Sequence, residues 1–330
     1  MWLNLRYRTV NLTKMKEAVS FPQVVRVGCG IDVHRDNIVA TIRKSDDEYE
    51  TREFEAFTSS LTCLRDWCKK EQVTHVAMES TGVYWKPVFN VLEEDFDIIL
   101  VNARHVKNVP GHKTDKKDSR WISKLLLSGL LKGSFIPPVD IRDLRDLVRY
   151  KKKVVAQAAS EKNRIIKILE DANIKLSSVI KNIDGSVGSK IIDSLIRGQT
   201  DVDELVKFYH GNMRVSKSEF RKALEGRISK HHRIMLQLHK DSITDKERFI
   251  ERIEAEIDEA TKAYQVEIDL LQTIPGVGKD SAINIISEIG TDMSRFPNEN
   301  HLSSWAGMSP GNNETGGKKK WQEQFKGINI

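Results

Sequence analysis

The rhythm of apolar and polar positions changes twice along the chain. Between Val24 and Val101, short apolar runs alternate with amphipathic ones. Residues 24–33 and 37–44 predict an antiparallel strand pair joined by a polar turn, and 49–57 a third strand with charges at alternate positions. Ser59 and Ser60 are placed to cap a helix that runs to about Lys70, with Leu61, Leu64 and Trp67 on one face. A short strand ending at Glu79 comes next, then a helix over 83–94, then a buried strand over 97–101.

Beyond Pro137 and Pro138 the period lengthens. Ile141, Leu144, Val148, Val155, Ala158, Ile165, Leu169, Ala172 and Leu176 fall at heptad-like spacing and predict one long helix. A second is predicted over 229–271, with Ile243, Ile250, Ile253, Ile257, Ala260, Tyr264 and Leu271 in register. Residues 185–226 read as shorter helices with polar turns. Two long helices with such a segment between them make an antiparallel hairpin, packed either as a bundle within the chain or against a second subunit.

Composition narrows the function. The 330 residues suffice for two domains, or for one with a large insertion. Charged residues make up 30%, so much helix surface is solvated. A net charge of +6 favours a polyanionic partner. Arg142, Arg145, Arg149, Lys151, Lys152, Lys153, Lys162, Arg164 and Lys167 crowd the face opposite the apolar stripe. They form either a solvated surface or a track for a nucleic-acid backbone, whose affinity would fall with salt. Cys29, Cys63 and Cys68 are few, odd in number and without zinc-ligand spacing, which fits a reducing compartment. No run approaches the roughly 18 apolar residues of a membrane span. Residues 1–23 lack a continuous apolar core and read as an N-terminal arm rather than a signal peptide.

Four acids stand at related places. Three antiparallel strands followed by parallel ones reached through helices is the order of an RNase H-like sheet, in which the first and fourth strands are neighbours. Asp32 ends the first and Glu79 the fourth, so their carboxylates are expected at one sheet edge. Asp115 and Asp118, three apart, share a face of a helical turn. They precede a helix with Trp121, Ile122, Leu125 and Leu126 on its apolar side. Each acid alone has an ordinary reading, as a turn residue or as a carboxylate favoured by a helix dipole. Together they make an oxygen-ligand set for two Mg²⁺ ions, which are hard cations. Two such ions about 3.5–4 Å apart activate a nucleophile and stabilise a leaving oxygen. Lys113, Lys116, Lys117 and Arg120 surround the second pair and are candidates to hold phosphates.

The last segments are punctuated by glycine. Ile274, Pro275, Gly276, Val277, Gly278 and Lys279 have the form of a helix-hairpin-helix turn, although a plain helix–helix turn has the same form. Such glycines let the backbone approach a phosphate, which the amides and the next helix's N-terminus bind. A helix over 282–289 is closed by Gly290, and another follows Phe296-Pro297 with Leu302 and Trp305. Then Thr315, Gly316, Gly317, Lys318, Lys319 and Lys320 place a hydroxyl beside two glycines and three lysines, a pattern suited to handling phosphate.

In combination these segments resemble the IS110 family of DEDD transposases, which act with a bridge RNA. The matching stretches are Gly30-Ile31-Asp32-Val33-His34, Met78-Glu79-Ser80-Thr81-Gly82-Val83-Tyr84-Trp85, Lys113 to Asp118, Ile274 to Gly278, and Trp305-Ala306-Gly307-Met308 through Gly317-Lys318. They run in the family's order from about Val27 to Lys320. The resemblance implies an α/β RNase H-like (RuvC-like) catalytic domain over 24–138 and a long helical coiled-coil insertion over 139–271. A small all-α helix-hairpin-helix-containing transposase domain over 272–330 completes it. It also implies that Asp32, Glu79, Asp115 and Asp118 hold Mg²⁺ near the scissile phosphate, and that a hydroxyl of the second domain attacks to give a covalent protein–DNA intermediate. The composite site would draw on different subunits of a homo-oligomer, a guide RNA would pair with donor and target DNA, and the setting would be the prokaryotic cytoplasm at the nucleoid, away from membranes.

The chain departs from the family pattern in two places. Thr315 stands at the family's serine position, with a secondary hydroxyl and a methyl group that restricts χ1. Ser309 is nearby but not at the nucleophile position. After Lys320, residues 321–330 read as unrelated sequence, as a frameshift or truncation would leave them, and a decayed product that folds but does not recombine is the alternative to a working enzyme. Two rivals stay open: a metal-dependent RuvC-like junction nuclease, and a non-catalytic nucleic-acid-binding remnant.

Overall fold

The computed structural model describes residues 23–79, 82–101, 118–131, 133–308, 314–315 and 318–319. They form two compact units, divided in the chain between Ile136 and Pro137. The expected N-terminal arm over 1–22, Lys113, Asp115, Lys116, Lys117, Ser309 and residues 320–330 lie outside the described residues.

The first unit is built on a mixed five-stranded sheet. β1 (Gly28–Val33), β2 (Asn37–Arg43) and β3 (Tyr49–Glu55) are antiparallel neighbours, and β4 (His75–Glu79) and β5 (Asp97–Val101) extend the sheet in parallel, in the order β3-β2-β1-β4-β5. The central β1 is buried along its whole length, as a strand covered on both faces must be, whereas the edge strand β3 turns its charges to solvent. One face is covered by α1 (Thr58–Lys70) and α2 (Trp85–Leu92), whose Leu61, Leu64, Phe89 and Leu92 meet Val76 and Met78. The alternate residue Ala77 points to the other face, against Ile122, Leu125 and Leu126 of α3 (Asp118–Leu127).

Two local expectations are corrected here. The first strand begins at Gly28 rather than Val24, because the amides of Val24 and Val25 both donate to the Leu127 carbonyl at the end of α3 (2.6 and 3.1 Å). Ser59 and Ser60 do not cap α1: Phe57 occupies that place without a side-chain bond, and the Ser60 hydroxyl instead accepts from the Glu55 amide at 3.1 Å.

The second unit is helical. α4 (Val139–Asp171) leads into four shorter helices, α5 (Leu176–Val179), α6 (Ser186–Ile196), α7 (Val202–Val206) and α8 (Lys217–Leu224). α9 (Lys230–Thr261) then returns antiparallel to α4. The direction is fixed by cross-links of opposite sense, Lys151 to Glu254 at 2.9 Å, Glu161 to His239 at 2.6 Å and Asp171 to His232 at 2.9 Å. The short helices share a core with the closed end of this hairpin through Ile165, Leu169, Ile191, Phe220 and Leu236. Both α8 and α9 open with reciprocal capping boxes, at Ser216 and Ser229.

The apolar stripe of α4 differs from the heptad expectation at one place. Val154 is 3% exposed and Val155 46%, the reverse of the expected choice. Val154 shares with Ile141, Leu144 and Val148 a core built with Ile253 and Ile257 of α9 and with the C-terminal helices, and Ile165 and Leu169 then pass into the core of the shorter helices. The second long helix also ends sooner than expected. The Thr261 hydroxyl donates back to the Ile257 carbonyl at 2.8 Å, a 3₁₀ turn follows over Lys262–Tyr264, and α10 (Gln265–Gln272) restarts the helix. Tyr264 at this break donates to the Asp140 carboxylate, and burial with that bond pushes the phenol up to about 12.

α11 (Lys279–Ile289) starts one turn before the predicted 282, directly after Gly278, and Gly290 closes it with φ 73°. α12 (Glu299–Trp305) is capped by the Asn298 side chain. A two-residue antiparallel ladder, Glu314–Thr315 with Lys318–Lys319, follows. The architecture is thus an α/β unit followed by a helical one.

Candidate catalytic site

The site grows from two glycines. A Cβ on Gly30 would lie 2.3 Å from the Ser123 amide nitrogen and 2.4 Å from the Ser119 carbonyl, both backbone atoms of α3. Only a bare backbone at this point lets α3 lie directly on β1. Gly28 faces softer neighbours, the side-chain ends of Leu126 and Leu127 at 2.8 and 3.0 Å. A polar seam then locks the helix to the sheet. Thr41 on β2 shares hydrogen bonds with the hydroxyls of Ser119 at 2.9 Å and Thr51 at 3.0 Å, and Arg43 Nε donates to the Ser123 hydroxyl at 3.1 Å. Asp118 is the first residue of α3, one position before the close contact at Ser119.

Asp32 and Glu79 follow the last pair of the β1–β4 register, Ile31 with Met78, by one residue on each strand. Asp32 is 6% exposed. Burial pushes its carboxyl above the ordinary range; His34 opposes this, while the charges of Asp118 and Glu79 add to it. The His34 ring lies 3.2 Å from Asp32 Oδ2. Two of the other three predicted acids, Glu79 and Asp118, therefore bear on Asp32 through their charge. They are not drawn into a closed ligand cage: among the described residues no group of three or more His, Cys, Asp or Glu is gathered tightly enough to hold a metal ion. Asp115, the fourth acid, lies outside the described residues.

The predicted phosphate contacts are distributed differently. Arg120 Nε donates to the Thr51 hydroxyl at 3.2 Å and its guanidinium lies 5.2 Å from the Tyr49 ring centre. Lys151 bridges Glu254 at 2.9 Å and Asp280 at 3.3 Å, so its charge is matched within the chain. Lys152 and Lys153 are exposed. Lys279 pairs with Asp258 at 2.8 Å, beside the turn in which Gly276 has φ 88° and Gly278 precedes α11. Thr315 pairs in register with Lys318, and Lys319 with Glu314. The acids belong to the first unit and Thr315 to the second.

Sequence reasoning missed His34 as the partner of Asp32, and Gly30, Thr41, Ser119 and Ser123 as the residues that seat the helix. A signal for the last group existed. Glycine inside an apolar strand marks close backbone approach, and Ser119 and Ser123, four apart, put two small residues on one helix face.

Asp32, Glu79 and Asp118 thus stand together as a buried strand carboxylate and two further acids whose charges bear on it. A transposase family model, DEDD of IS110, matches residues 29–174, and the model of the transposase IS116/IS110/IS902 family matches residues 268–327. The first match contains all four acids and the second contains the Gly276–Gly278 turn and Thr315. The chain belongs to the IS110 family of transposases. No curated protein matches it. Membership of a transposase family implies DNA binding, and DEDD transposases are generally metal-dependent. Among the described residues no helix is long and apolar enough to cross a membrane.

Proposed function

We propose that the protein breaks and rejoins DNA strands by transesterification on an RNase H-like (RuvC-like) sheet. The observation that carries this reading is the coupling of buried Asp32 to Glu79 and Asp118. A carboxylate held from water beside two others is costly unless a cation joins them. An all-oxygen donor set suits Mg²⁺, so Asp32, Glu79, Asp115 and Asp118 are the residues to hold it, as two ions. When bound, such ions supply positive charge to the scissile phosphate and its leaving oxygen. The strand order, three antiparallel strands joined to two parallel ones, supports the RNase H-like assignment.

Thr315 supplies the nucleophile in this reading. Its Oγ forms a new bond to phosphorus while the bond to the leaving-strand oxygen breaks, and the hydroxyl proton leaves to that oxygen or to solvent. One phosphodiester is exchanged for another, so rejoining needs no added energy source. Lys113, Lys116, Lys117, Arg120, Lys318 and Lys319 hold neighbouring phosphates, and Gly276, Gly278 and Lys279 hold one more at a helix-hairpin-helix turn. Lys152 and Lys153, with Lys151 beside them, serve backbone further along α4, the first arm of a coiled coil. A guide RNA pairs with donor and target DNA, and copies of the chain assemble so that one copy's acids meet another's Thr315. The working segments are 24–138 for the acids, 139–271 for the helical region and 272–330 for the nucleophile.

The test is a denaturant-resistant protein–DNA adduct, formed on DNA carrying the element's ends with guide RNA and Mg²⁺. Wild type and Thr315→Ser form it, and Asp32→Asn and Thr315→Ala do not. Undiminished cleavage by Asp32→Asn would overturn the metal assignment. Cut strands without any adduct would favour the nuclease. DNA binding without cutting, by wild type and Thr315→Ser alike, would favour the remnant, the rival that Thr315 itself motivates.

A further inference from the structure

The stretch from Gly82 to Trp85 is not used by the mechanism above, and its two aromatic residues behave differently. Trp85 turns inward and packs edge-on against Phe89, with ring centres 5.6 Å apart. Tyr84, one residue earlier, is 42% exposed. Gly82, at φ 56°, turns the chain after β4, and the edge of the Tyr84 ring lies 3.7 Å from the position a Cβ would take there. Tyr84 and the β1–β2 turn enclose an open pocket of about 490 Å³, lined by Val33, His34, Arg35, Asp36, Asn37 and Tyr84. The volume is in the range of small-molecule sites. His34 is shared between this pocket and Asp32, so the pocket begins one side chain from the acids.

The lining decides what fits. Arg35 and Asp36 lie 3.5 Å apart and are both exposed, so their charges cancel locally and no net field draws a phosphate inward. Tyr84 offers a ring face, Val33 beneath belongs to the core, and Asp36 and Asn37 offer an acceptor and an amide at the rim. An exposed aromatic face with a few polar groups at its edge is the chemistry of a nucleobase site. Exposed aromatic rings are platforms on which unpaired bases stack with little regard to sequence.

We propose that this pocket receives one unstacked base of the DNA strand, that of the nucleotide beside the scissile phosphate, with Tyr84 as the stacking surface. Taking a base out of the duplex opens the backbone next to it, which gives the acids access to the phosphate. The inference rests on the DNA-cutting reading above and adds a substrate-binding residue to it.

The probe is a single-stranded 12-mer deoxyoligonucleotide with one central 2-aminopurine, titrated with the full-length protein in EDTA so that no strand is cut. The expected result is quenching of the fluorescent base, retained in Tyr84→Phe and lost in Tyr84→Ala, whose affinity falls roughly 5- to 150-fold. Equal quenching by wild type and Tyr84→Ala would overturn the proposal, as would tighter binding and stronger quenching of the matching RNA oligonucleotide. Circular dichroism and the unfolding temperature of Tyr84→Ala, expected to match wild type for an exposed residue, show that lost quenching is not lost folding. Failure here with adducts still abolished by Asp32→Asn removes the base pocket alone; failure of the Asp32→Asn test removes the cutting mechanism beneath it.

Discussion

Gly30→Ala is the smallest change that tests how the site is assembled. The added methyl would stand 2.3 Å from the Ser123 nitrogen, 2.4 Å from the Ser119 carbonyl oxygen and 2.8 Å from the Ser123 Cα. Ordinary contact starts near 3.4 Å, so α3 must withdraw by about an ångström. No rotamer change relieves this, because all three atoms are backbone. Overpacking of this kind costs about 1–3 kcal/mol, with the upper part of the range expected for a rigid neighbour. The displacement passes straight to Asp118, one residue before Ser119, and a misplacement near 1 Å costs on the order of 10²-fold in rate. Urea unfolding of the full chain measures the first effect and the adduct assay the second. Gly28→Ala is the control, since its close contacts are the ends of Leu126 and Leu127 side chains, which can rotate. It should cost about 1 kcal/mol or less and leave adduct formation within about threefold. Equal losses in the two variants, or a Gly30→Ala protein as stable and active as wild type, would refute the idea that close backbone contact sets the position of Asp118.

Asp32 gives a pH prediction. Its folded-state pKa is raised, chiefly by burial, so the folded state holds this proton more tightly than the unfolded chain does. The associated stability is fully present below the unfolded pKa and is lost as pH rises through the folded one. In EDTA, Asp32→Asn should therefore gain on wild type in unfolding temperature as pH rises through the acidic range, and added Mg²⁺ should raise wild type only; parallel pH profiles would refute it. Glu288→Gln tests the second unit. Glu288 is 5% exposed and accepts from Arg149 Nε and Nη2 at 2.8 and 2.7 Å, with Arg145 3.5 Å away. Burial already lowers the pKa of Arg145, and removing the carboxylate leaves that cation half-buried without its counter-charge. The loss should be about 3 kcal/mol in urea unfolding, and a change below about 0.5 kcal/mol would show the cluster to be dispensable.

The parts of the fold that were legible in sequence depend on short-range pattern. β5 was predicted with its observed limits and Glu79 closes β4 as expected, while Asp32 stands one residue before the end of β1, since Val33 still pairs with Ile38. Other features depend on what arrives from far along the chain. Gly30 matters because Ser119 and Ser123 come to rest on it some ninety residues later, and a glycine's contribution is the space it leaves empty. Val154 rather than Val155 is buried because it joins a core completed by Ile253 and Ile257 from far along the chain, which no period within α4 records. The basic face of α4 was the least legible feature. Arg145 and Arg149 are occupied by Glu288, Lys151 by Glu254 and Asp280, and Lys162 by Asp184, all supplied by other segments of the second unit. A charge stripe read alone therefore overstates what is available to a nucleic acid. Much of this stripe holds the helical unit together, so of its cations the proposed mechanism assigns chiefly exposed Lys152 and Lys153 to nucleic-acid backbone.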